Sequence, residues 1–361
     1  MGVMTASDDT TPNPDESSDN GSTRVDLTGT ENPKSDTPGG ATAKDWWEAA
    51  RPHTWFNAAA PVIAGTGAAA FEFWCSLPLA LLALIVAMGM IIGVNYANDY
   101  SDGIRGTDDD RTGPTRLTAS GLARPEQVKL AAFISFGVAA IAGVILAAVS
   151  APWLILVGAV CILAAWFYTG GKNPYGYRGF GEVSVFVFFG LVAVLGTQYT
   201  QVGTITWVGI GCAVGIGAIS AAINLANNIR DIPTDTEAGK RTLAVMLGDV
   251  RARRLFTVLT LTPFVITVFI GAAYAPTLLA LAALPLAIGS VLKVQRGAQG
   301  KELIPVLGAN GRAMLIWSVI LAGALIAGSP FMQLGQTIPY SDFGWTMHIP
   351  DDAQYLSLIH I

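Results

Sequence analysis

Long apolar segments are the feature that most constrains the fold of this chain. A helix needs about 20 apolar residues to cross about 30 Å of hydrocarbon. Nine segments come close to or meet this length, at residues 54–72, 77–97, 128–149, 152–169, 181–200, 204–226, 255–274, 276–294 and 311–329. A chain that is 52% hydrophobic and only 13% charged is too apolar for a soluble domain. The sequence therefore predicts an all-α polytopic membrane protein with about nine transmembrane helices.

The positions of the basic residues predict the orientation of these helices. All 21 Lys and Arg residues lie before or at the start of the first segment, or in and around the loops after the second, fourth, sixth and eighth segments. Basic residues in short loops stay on the cytoplasmic side. We therefore expect a multi-pass plasma-membrane protein with a cytoplasmic N-terminus and an outside C-terminus. Residues 1–44 predict a disordered acidic tail, residues 45–329 the helical domain, and residues 330–361 an extracytoplasmic tail.

Two cytoplasmic loops hold most carboxylates and repeat each other at an offset of 129 residues. NDYSDGIRGTDDDRTGPTRLTASG follows the second segment, and NNIRDIPTDTEAGKRTLAVMLGD follows the sixth. The offset aligns two Asn and one Asp of each copy, namely Asn95, Asn98 and Asp102 with Asn224, Asn227 and Asp231. Membrane proteins are often built from such repeats. The second and sixth helices are therefore predicted to face each other as pseudo-equivalent elements.

Each copy contains a pair of carboxylates at helical spacing. Asp99 and Asp102 are three residues apart, and Asp231 and Asp235 are four apart, so each pair can share one helical face. Charges close to hydrocarbon are costly and normally have a partner. Mg²⁺ takes oxygen ligands and usually binds through one or two carboxylates plus substrate phosphates. The pairs therefore predict a catalytic magnesium-diphosphate site at the cytoplasmic ends of the helices.

Polar residues around the two pairs fit this prediction. Amide side chains one turn back can add ligands or hydrogen bonds: Asn95, Asn98, Asn224 and Asn227. Interspersed basic side chains supply donors for phosphate oxygens: Arg105, Arg116, Arg230, Lys240 and Arg241. In the loop YTGGKNPYGYRGFGE, glycines let the backbone approach a ligand closely. Tyr175 and Tyr177 of this loop either face an aromatic or cationic ligand or belong to an interfacial belt.

At these motifs the chain resembles the UbiA superfamily of intramembrane prenyltransferases. That superfamily carries NDxxDxxxD after helix two and DxxxD after helix six. The matching residues are Asn98, Asp99 and Asp102 in the first motif and Asp231 and Asp235 in the second. Gly106 occupies the position of the third carboxylate in the first motif. The resemblance therefore leaves Asp108 as a displaced candidate for a fifth metal ligand.

Within the superfamily, the chain is most similar to the branch that prenylates 1,4-dihydroxy-2-naphthoate in menaquinone biosynthesis. The similarity covers about residues 50–250 and includes RPHT, GPTRLTASG and FFGLVAVLGTQY. It implies Mg²⁺-dependent transfer of a polyprenyl group from polyprenyl diphosphate to this naphthoate, with loss of CO₂ and diphosphate. It also implies that Lys172 and Arg178 contact the diphosphate or the naphthoate carboxylate. Arg51 is predicted either to bind that carboxylate or to reach lipid headgroups.

Other functions remain open at this point. A UbiA-type enzyme could instead use 4-hydroxybenzoate, chlorophyllide, haem or phosphoribose as its acceptor. A secondary transporter could use the repeat and the acids for ion coupling, but transporter sites lie near the bilayer midplane, and the middle thirds of these segments are uncharged. The predicted partners are polyprenyl diphosphate, 1,4-dihydroxy-2-naphthoate and the lipid bilayer. Mg²⁺ is the predicted cofactor, and no nucleic-acid partner is expected.

Overall fold

The computed structural model describes residues 40–72, 74–106 and 116–330, and the regular elements in these ranges are helical. The α-helices, in chain order, are α1 Ala43–Ala49, α2 Phe56–Glu72, α3 Leu77–Gly103, α4 Pro125–Val149, α5 Leu154–Thr169, α6 Gly181–Val185, α7 Gly196–Val202, α8 Trp207–Arg230, α9 Ile232–Glu237, α10 Leu243–Leu247, α11 Asp249–Ala273, α12 Leu284–Gln295 and α13 Ile304–Ala327. A π-helical segment, Phe186–Leu195, joins α6 to α7. Asp108 and most of both predicted tails lie outside the described residues.

Seven helical segments in the described ranges are long and apolar enough to cross a membrane. They are Leu77–Gly103, Pro125–Val149, Gly181–Val202, Trp207–Arg230, Asp249–Ala273, Ala275–Gln295 and Gly300–Ala327. The prediction of an all-α, multi-pass membrane protein is thereby confirmed. The count of nine spans is not confirmed, because the helices at the first and fourth predicted spans have only 17 and 16 residues.

The structure extends the helices that carry the two acidic motifs. The second predicted span ended at residue 97, whereas α3 continues to Gly103; α8 likewise continues to Arg230 rather than to residue 226. Apolar composition marks only the part of a helix that lies in hydrocarbon, and a helix can continue into polar surroundings. The first motif therefore forms the last turns of α3. The second spans the junction between α8 and α9, where the Asp235 amide donates to the Asp231 carbonyl at 2.8 Å.

Helix α2 lies inside the bundle and packs on α13, α8 and α3. Helix α2 corresponds to the first predicted span, and its sequence is rich in Ala and Gly because neighbouring helices approach it very closely. A Cβ atom added at Gly67 would lie 2.5 Å from the Ala322 Cα of α13, and one at Gly65 would lie 2.5 Å from the Val194 carbonyl oxygen. Small residues at such contacts are typical of helix packing in membranes.

Changing Gly67 to Ala is expected to destabilise the protein by about 1–3 kcal/mol, because the new methyl group would collide with the α13 backbone. The matched control is Gly289→Ala in α12, where an added Cβ meets no atom within 4 Å. Ala is the better helix former, so that control should be neutral or gain up to about 1 kcal/mol. Thermal unfolding in detergent measures both effects. Equal stability of the two variants would contradict the packing argument.

The predicted repeat extends to the packing of the helices. Each motif helix packs most extensively on a later long helix: α3 on α4, and α8 on α11, which begins after the short helices of the second loop. α3 and α8 are not among the extensively packed pairs, and α2 contacts both of them. The two acidic motifs are therefore pseudo-equivalent, but α3 and α8 do not form a packed pair.

Candidate functional site

The two carboxylates of the first motif have different partners. Both are buried at the end of α3, with 1% of Asp99 and 4% of Asp102 exposed. The Asp99 carboxylate accepts hydrogen bonds from the backbone amides of Leu117 and Thr118, each at 2.9 Å. The Asp102 carboxylate accepts one from the Tyr177 hydroxyl. Asp99 therefore holds the segment at Leu117 and Thr118 against α3. Asp102 instead contacts Tyr177 of the glycine-rich loop.

The second motif pairs each carboxylate with a buried cation. Arg230 donates through Nε and Nη2 to the two carboxylate oxygens of Asp231, at 2.7 and 2.8 Å. The Lys240 Nζ lies 3.9 Å from Asp235 Oδ1, and the Lys240 amide donates to the Asp235 carbonyl. Asp231, Asp235 and Lys240 are 5%, 3% and 7% exposed. These charges are shielded from water, so their mutual interactions are stronger than those of surface pairs.

Tyr177 connects the two motifs. Its hydroxyl donates to Asp102, and the Lys240 Nζ lies 4.5 Å from the centroid of its ring. Its carbonyl accepts from the Arg241 amide at 3.0 Å. The sequence left Tyr177 either as an aromatic contact to a ligand or as part of an interfacial belt. The structure places it between Asp102 of the first motif and the Lys240–Asp235 pair of the second.

The donor set of this site fits Mg²⁺. Among the described residues, no group of three or more His, Cys, Asp or Glu side chains forms a ready metal cage. Mg²⁺ seldom uses such cages and binds instead through one or two carboxylates together with substrate phosphates and water. Asp102, Asp231 and Asp235 provide hard oxygen atoms for this purpose. The basic residues beside these three carboxylates can contact the phosphates of a bound substrate.

The four predicted Asn side chains do not act alike. Asn95 donates to the Ala50 carbonyl at 2.9 Å and to the Thr54 hydroxyl at 3.0 Å, and so ties α3 to the turn before α2. The Asn98 side-chain oxygen accepts from the Thr169 hydroxyl at 2.7 Å. In α8, the backbone carbonyl of Asn227 accepts from the Asp231 amide, and the Asn224 side chain forms a hydrogen bond with the Tyr168 hydroxyl.

Predicted basic residues line two adjoining cavities beside Tyr177. The larger, of about 580 Å³, is lined by Lys172, Arg178 and Arg241 among others, and its described lining contains no carboxylate. The second, of about 420 Å³, is lined in part by Arg105, Lys172 and Lys240. Arg105 also donates to the carbonyls of Thr169 and Gly171. Five predicted cations therefore converge on one region.

Arg51 and Arg116 stand apart from these cavities. Arg51 adopts a left-handed conformation with φ of 52°, and its carbonyl accepts from the Thr54 hydroxyl in the turn before α2. Desolvation lowers the pKa of the neighbouring His53, and the positive charges of Arg51 and Arg230 lower it further. The His53 imidazole is therefore neutral at pH 7. The side chains of Arg51 and Arg230 are both close enough to His53 to lower its pKa. The carbonyl of Arg116 accepts from the Ser120 hydroxyl.

Tyr175 of the glycine-rich loop contacts helix α5. Its hydroxyl donates to the Ala164 carbonyl at 2.8 Å, and its ring meets that of Tyr168 edge to face with centroids 5.5 Å apart. Burial raises the pKa of the Tyr175 phenol. The phenol is therefore protonated at neutral pH and can act as the donor in this bond.

The structure brings together two polar residues that were not among the site residues predicted from the sequence. Glu182, at the start of α6, is only 4% exposed, and Asn228 Nδ2 donates to its Oε1 at 2.6 Å. Asn228 is the position that aligns with Asp99 at the offset of 129 residues. That alignment was the available signal for Asn228, whereas the contact with Glu182 depends on tertiary packing.

Comparisons with known proteins show the family of this chain. The profile of the UbiA prenyltransferase family matches residues 58–319. A Mycobacterium tuberculosis protein named 1,4-dihydroxy-2-naphthoate octaprenyltransferase is 56% identical over 288 residues, which cover 80% of this chain and 99% of that protein. An Escherichia coli protein of the same name is 40% identical over 216 residues, covering 58% of this chain and 70% of that protein. The structure of an Archaeoglobus fulgidus UbiA homolog bound to GPP and Mg²⁺ shares the fold with a TM-score of 0.58 at 15% identity, covering 78% and 99% of the two chains.

Proposed function

Because the chain belongs to the UbiA prenyltransferase family, we propose that it transfers a polyprenyl group from polyprenyl diphosphate to 1,4-dihydroxy-2-naphthoate in menaquinone biosynthesis. The observation that carries this proposal is the 56% identity to the Mycobacterium tuberculosis protein, whose name states this activity. The identity extends over 99% of the length of that protein. The acidic and basic side chains around Tyr177 supply the chemistry that the transfer needs.

The proposed reaction replaces one bond by another at the first carbon of the prenyl chain. The ring carbon that carries the carboxylate forms a bond to this carbon, and the carbon–oxygen bond to diphosphate breaks with its electron pair leaving on the diphosphate. The carboxylate then departs as CO₂ and returns its electron pair to the ring. Bound Mg²⁺ would neutralise charge on the leaving diphosphate.

The side chains of this chain then have separate tasks. We assign metal contact to Asp102, Asp231 and Asp235, supported by the burial of all three and by the contacts through Tyr177 and Lys240 that connect Asp102 with Asp235. Lys240 and the cations that line the two cavities would bind the diphosphate oxygens, which accumulate charge as the bond breaks. Tyr177 would exclude water between the motifs, and water must be kept from an allylic cation because it would convert the cation to a prenol. Asp108 stays a candidate ligand outside the described residues.

We propose that the carboxylate ends of α3 and α8 face the cytoplasm. This orientation is supported by the placement of the 21 Lys and Arg residues in alternate loops. It would put the N-terminus inside and the C-terminus outside the plasma membrane. A cysteine introduced by Glu237→Cys, at an exposed position of α9, should react with an impermeant thiol reagent in inside-out vesicles. Equal reaction in intact cells would contradict the orientation.

The experiment that tests the function compares acceptors in one assay. The full chain in proteoliposomes receives a polyprenyl diphosphate, Mg²⁺ and either 1,4-dihydroxy-2-naphthoate, 4-hydroxybenzoate, chlorophyllide, haem or phosphoribosyl diphosphate. We expect a prenylated 1,4-dihydroxynaphthalene, which air then oxidises to the naphthoquinone, and CO₂ only with the naphthoate, and no product when a chelator removes the metal. Product from another acceptor alone would assign a different member of the family, and no product from any of them would reject the function.

Separate substitutions of Asp99 and Asp102 by Asn should distinguish a residue that holds backbone amides from a residue that binds the metal. Asp102→Asn is expected to weaken Mn²⁺ binding, measured by electron paramagnetic resonance with prenyl diphosphate present, by about 10-fold or more. Asp99→Asn should change Mn²⁺ affinity by less than about 3-fold but should lower stability by about 1–3 kcal/mol, because one of the Leu117 and Thr118 amides loses its acceptor. Equal losses of Mn²⁺ affinity would make Asp99 a ligand as well.

A further inference from the structure

A second polar cluster lies next to the acidic motifs and has unmet hydrogen-bonding capacity. Glu182 uses Oε1 to accept from Asn228, but its Oε2 is buried with no hydrogen-bond partner among the described residues. The side chain of nearby Asn224 forms a hydrogen bond with the Tyr168 hydroxyl. Buried polar groups are normally satisfied, and an unsatisfied one costs free energy. An acceptor atom of Glu182 thus remains available in this cluster.

Packing holds these two side chains together. Gly181 has no side chain, and a Cβ added there would lie 3.1 Å from both the Asn224 Nδ2 and the Tyr168 hydroxyl. Glu182 is the next residue, and its partner Asn228 is one helical turn from Asn224 on α8. Gly181 therefore brings the start of α6 against the face of α8 that carries both Asn residues.

The same face of α8 leads to the second acidic motif. Asn224, Asn228 and Asp231 have the spacing i, i+4 and i+7, which places side chains in one row along a helix. Asn228 precedes Asp231 by three residues, which is about 4.5 Å along the helix axis. Glu182 therefore lies about one turn from the carboxylates, towards the middle of α8. A diphosphate held at Asp231 and Asp235 would have its attached carbon near this level.

We propose that Glu182 accepts a hydrogen bond from the ring hydroxyl of the aromatic acceptor that is ortho to the attacking carbon. This inference rests on the proposed function. A hydroxyl that donates to a carboxylate gains electron density, which it passes to the ring carbons ortho and para to it. The ring carbon then attacks the prenyl carbon more readily. The hydroxyl keeps its proton, and Glu182 undergoes no net change in the reaction.

The test asks whether the preference for a hydroxylated acceptor depends on Glu182. The full chain in lipid nanodiscs is titrated with 1,4-dihydroxy-2-naphthoate, 1-hydroxy-2-naphthoate and 4-hydroxy-2-naphthoate, and binding is measured by tryptophan fluorescence. In the unchanged protein, we expect 4-hydroxy-2-naphthoate, which lacks the hydroxyl ortho to the attacking carbon, to bind about 10-fold more weakly than the dihydroxy compound. In Glu182→Gln, the two affinities should agree within about 3-fold, while the KM for polyprenyl diphosphate stays the same.

Two further variants make the outcome decisive. Glu182→Asp keeps the carboxylate and should retain part of the hydroxyl preference, which also covers the case that the Gln variant is unstable. Glu126→Gln, an exposed acidic residue of α4, should behave like the unchanged protein. A hydroxyl preference that survives in Glu182→Gln would overturn the proposal, as would its absence from the unchanged protein. Lack of prenyl transfer to the naphthoate by the unchanged protein would instead reject the proposed function.

Discussion

Changing Asp231 to Asn is expected to lower turnover about a thousandfold, a loss typical of removing a group that stabilises charge in the transition state. The Asp231 carboxylate is buried at the end of α8 and accepts two hydrogen bonds from Arg230. Asn preserves the size of the side chain but removes its charge. The variant can neither balance Arg230 nor offer an anionic oxygen to a metal ion.

The matched control for Asp231→Asn is Glu237→Gln in α9. Glu237 is close along the chain but exposed, so the control should keep its full turnover. Initial rates of prenyl transfer, measured in proteoliposomes at saturating Mg²⁺, report both effects. Thermal unfolding shows whether each variant is folded. Retention of more than about a tenth of the rate by a folded Asp231→Asn protein would exclude Asp231 from the metal-diphosphate site.

Lys240→Met is expected to reduce turnover about a hundredfold. Lys240 is 7% exposed and lies between the Tyr177 ring and the Asp235 carboxylate. Met keeps the apolar stem of the side chain but removes the charge that would oppose charge build-up on the leaving diphosphate. The loss should therefore appear in kcat and in the KM for polyprenyl diphosphate, while the KM for the naphthoate stays unchanged.

Two comparison variants complete the test of Lys240. Lys240→Arg keeps the charge and should recover part of the rate. Lys301→Met removes an exposed cation from the 3₁₀-helix Gly300–Leu303 and should have no effect. If Lys240→Met raised only the KM for the naphthoate, Lys240 would belong to the acceptor site instead.

Much of the helical architecture could be predicted because hydrocarbon demands long apolar runs. The two acidic motifs were also visible, since Asp102 and Asp231 recur at an offset of 129 residues and two Asp residues match each family motif. The roles of single side chains were less predictable. Asp99 and Asp102 have the same chemistry and adjacent helical positions, yet only tertiary contacts show that Asp99 holds two backbone amides.

Other features depend on contacts between distant parts of the chain. Asn95 was expected to serve a ligand, but its amide bonds to Ala50, 45 residues away. The partner of Glu182 could not be predicted, because Asn228 lies on another helix. The hydropathy of Phe186–Leu195 predicted a membrane span but could not predict π-helical geometry, since nearly every side chain there is apolar and leaves no periodic signal.

The π-helical segment Phe186–Leu195 also fixes the rotational register of the fifth span. Wide turns are rare and often occur at functional sites. Each residue of an α-helix advances the side-chain direction by about 100°, so deletion of one residue within this segment would turn α6 and α7 relative to each other. Gln198 in α7 donates to the Thr206 hydroxyl, and Glu182 in α6 meets Asn228. A one-residue deletion could therefore preserve only one of these contacts, which makes chain length in this segment as restrictive as residue identity.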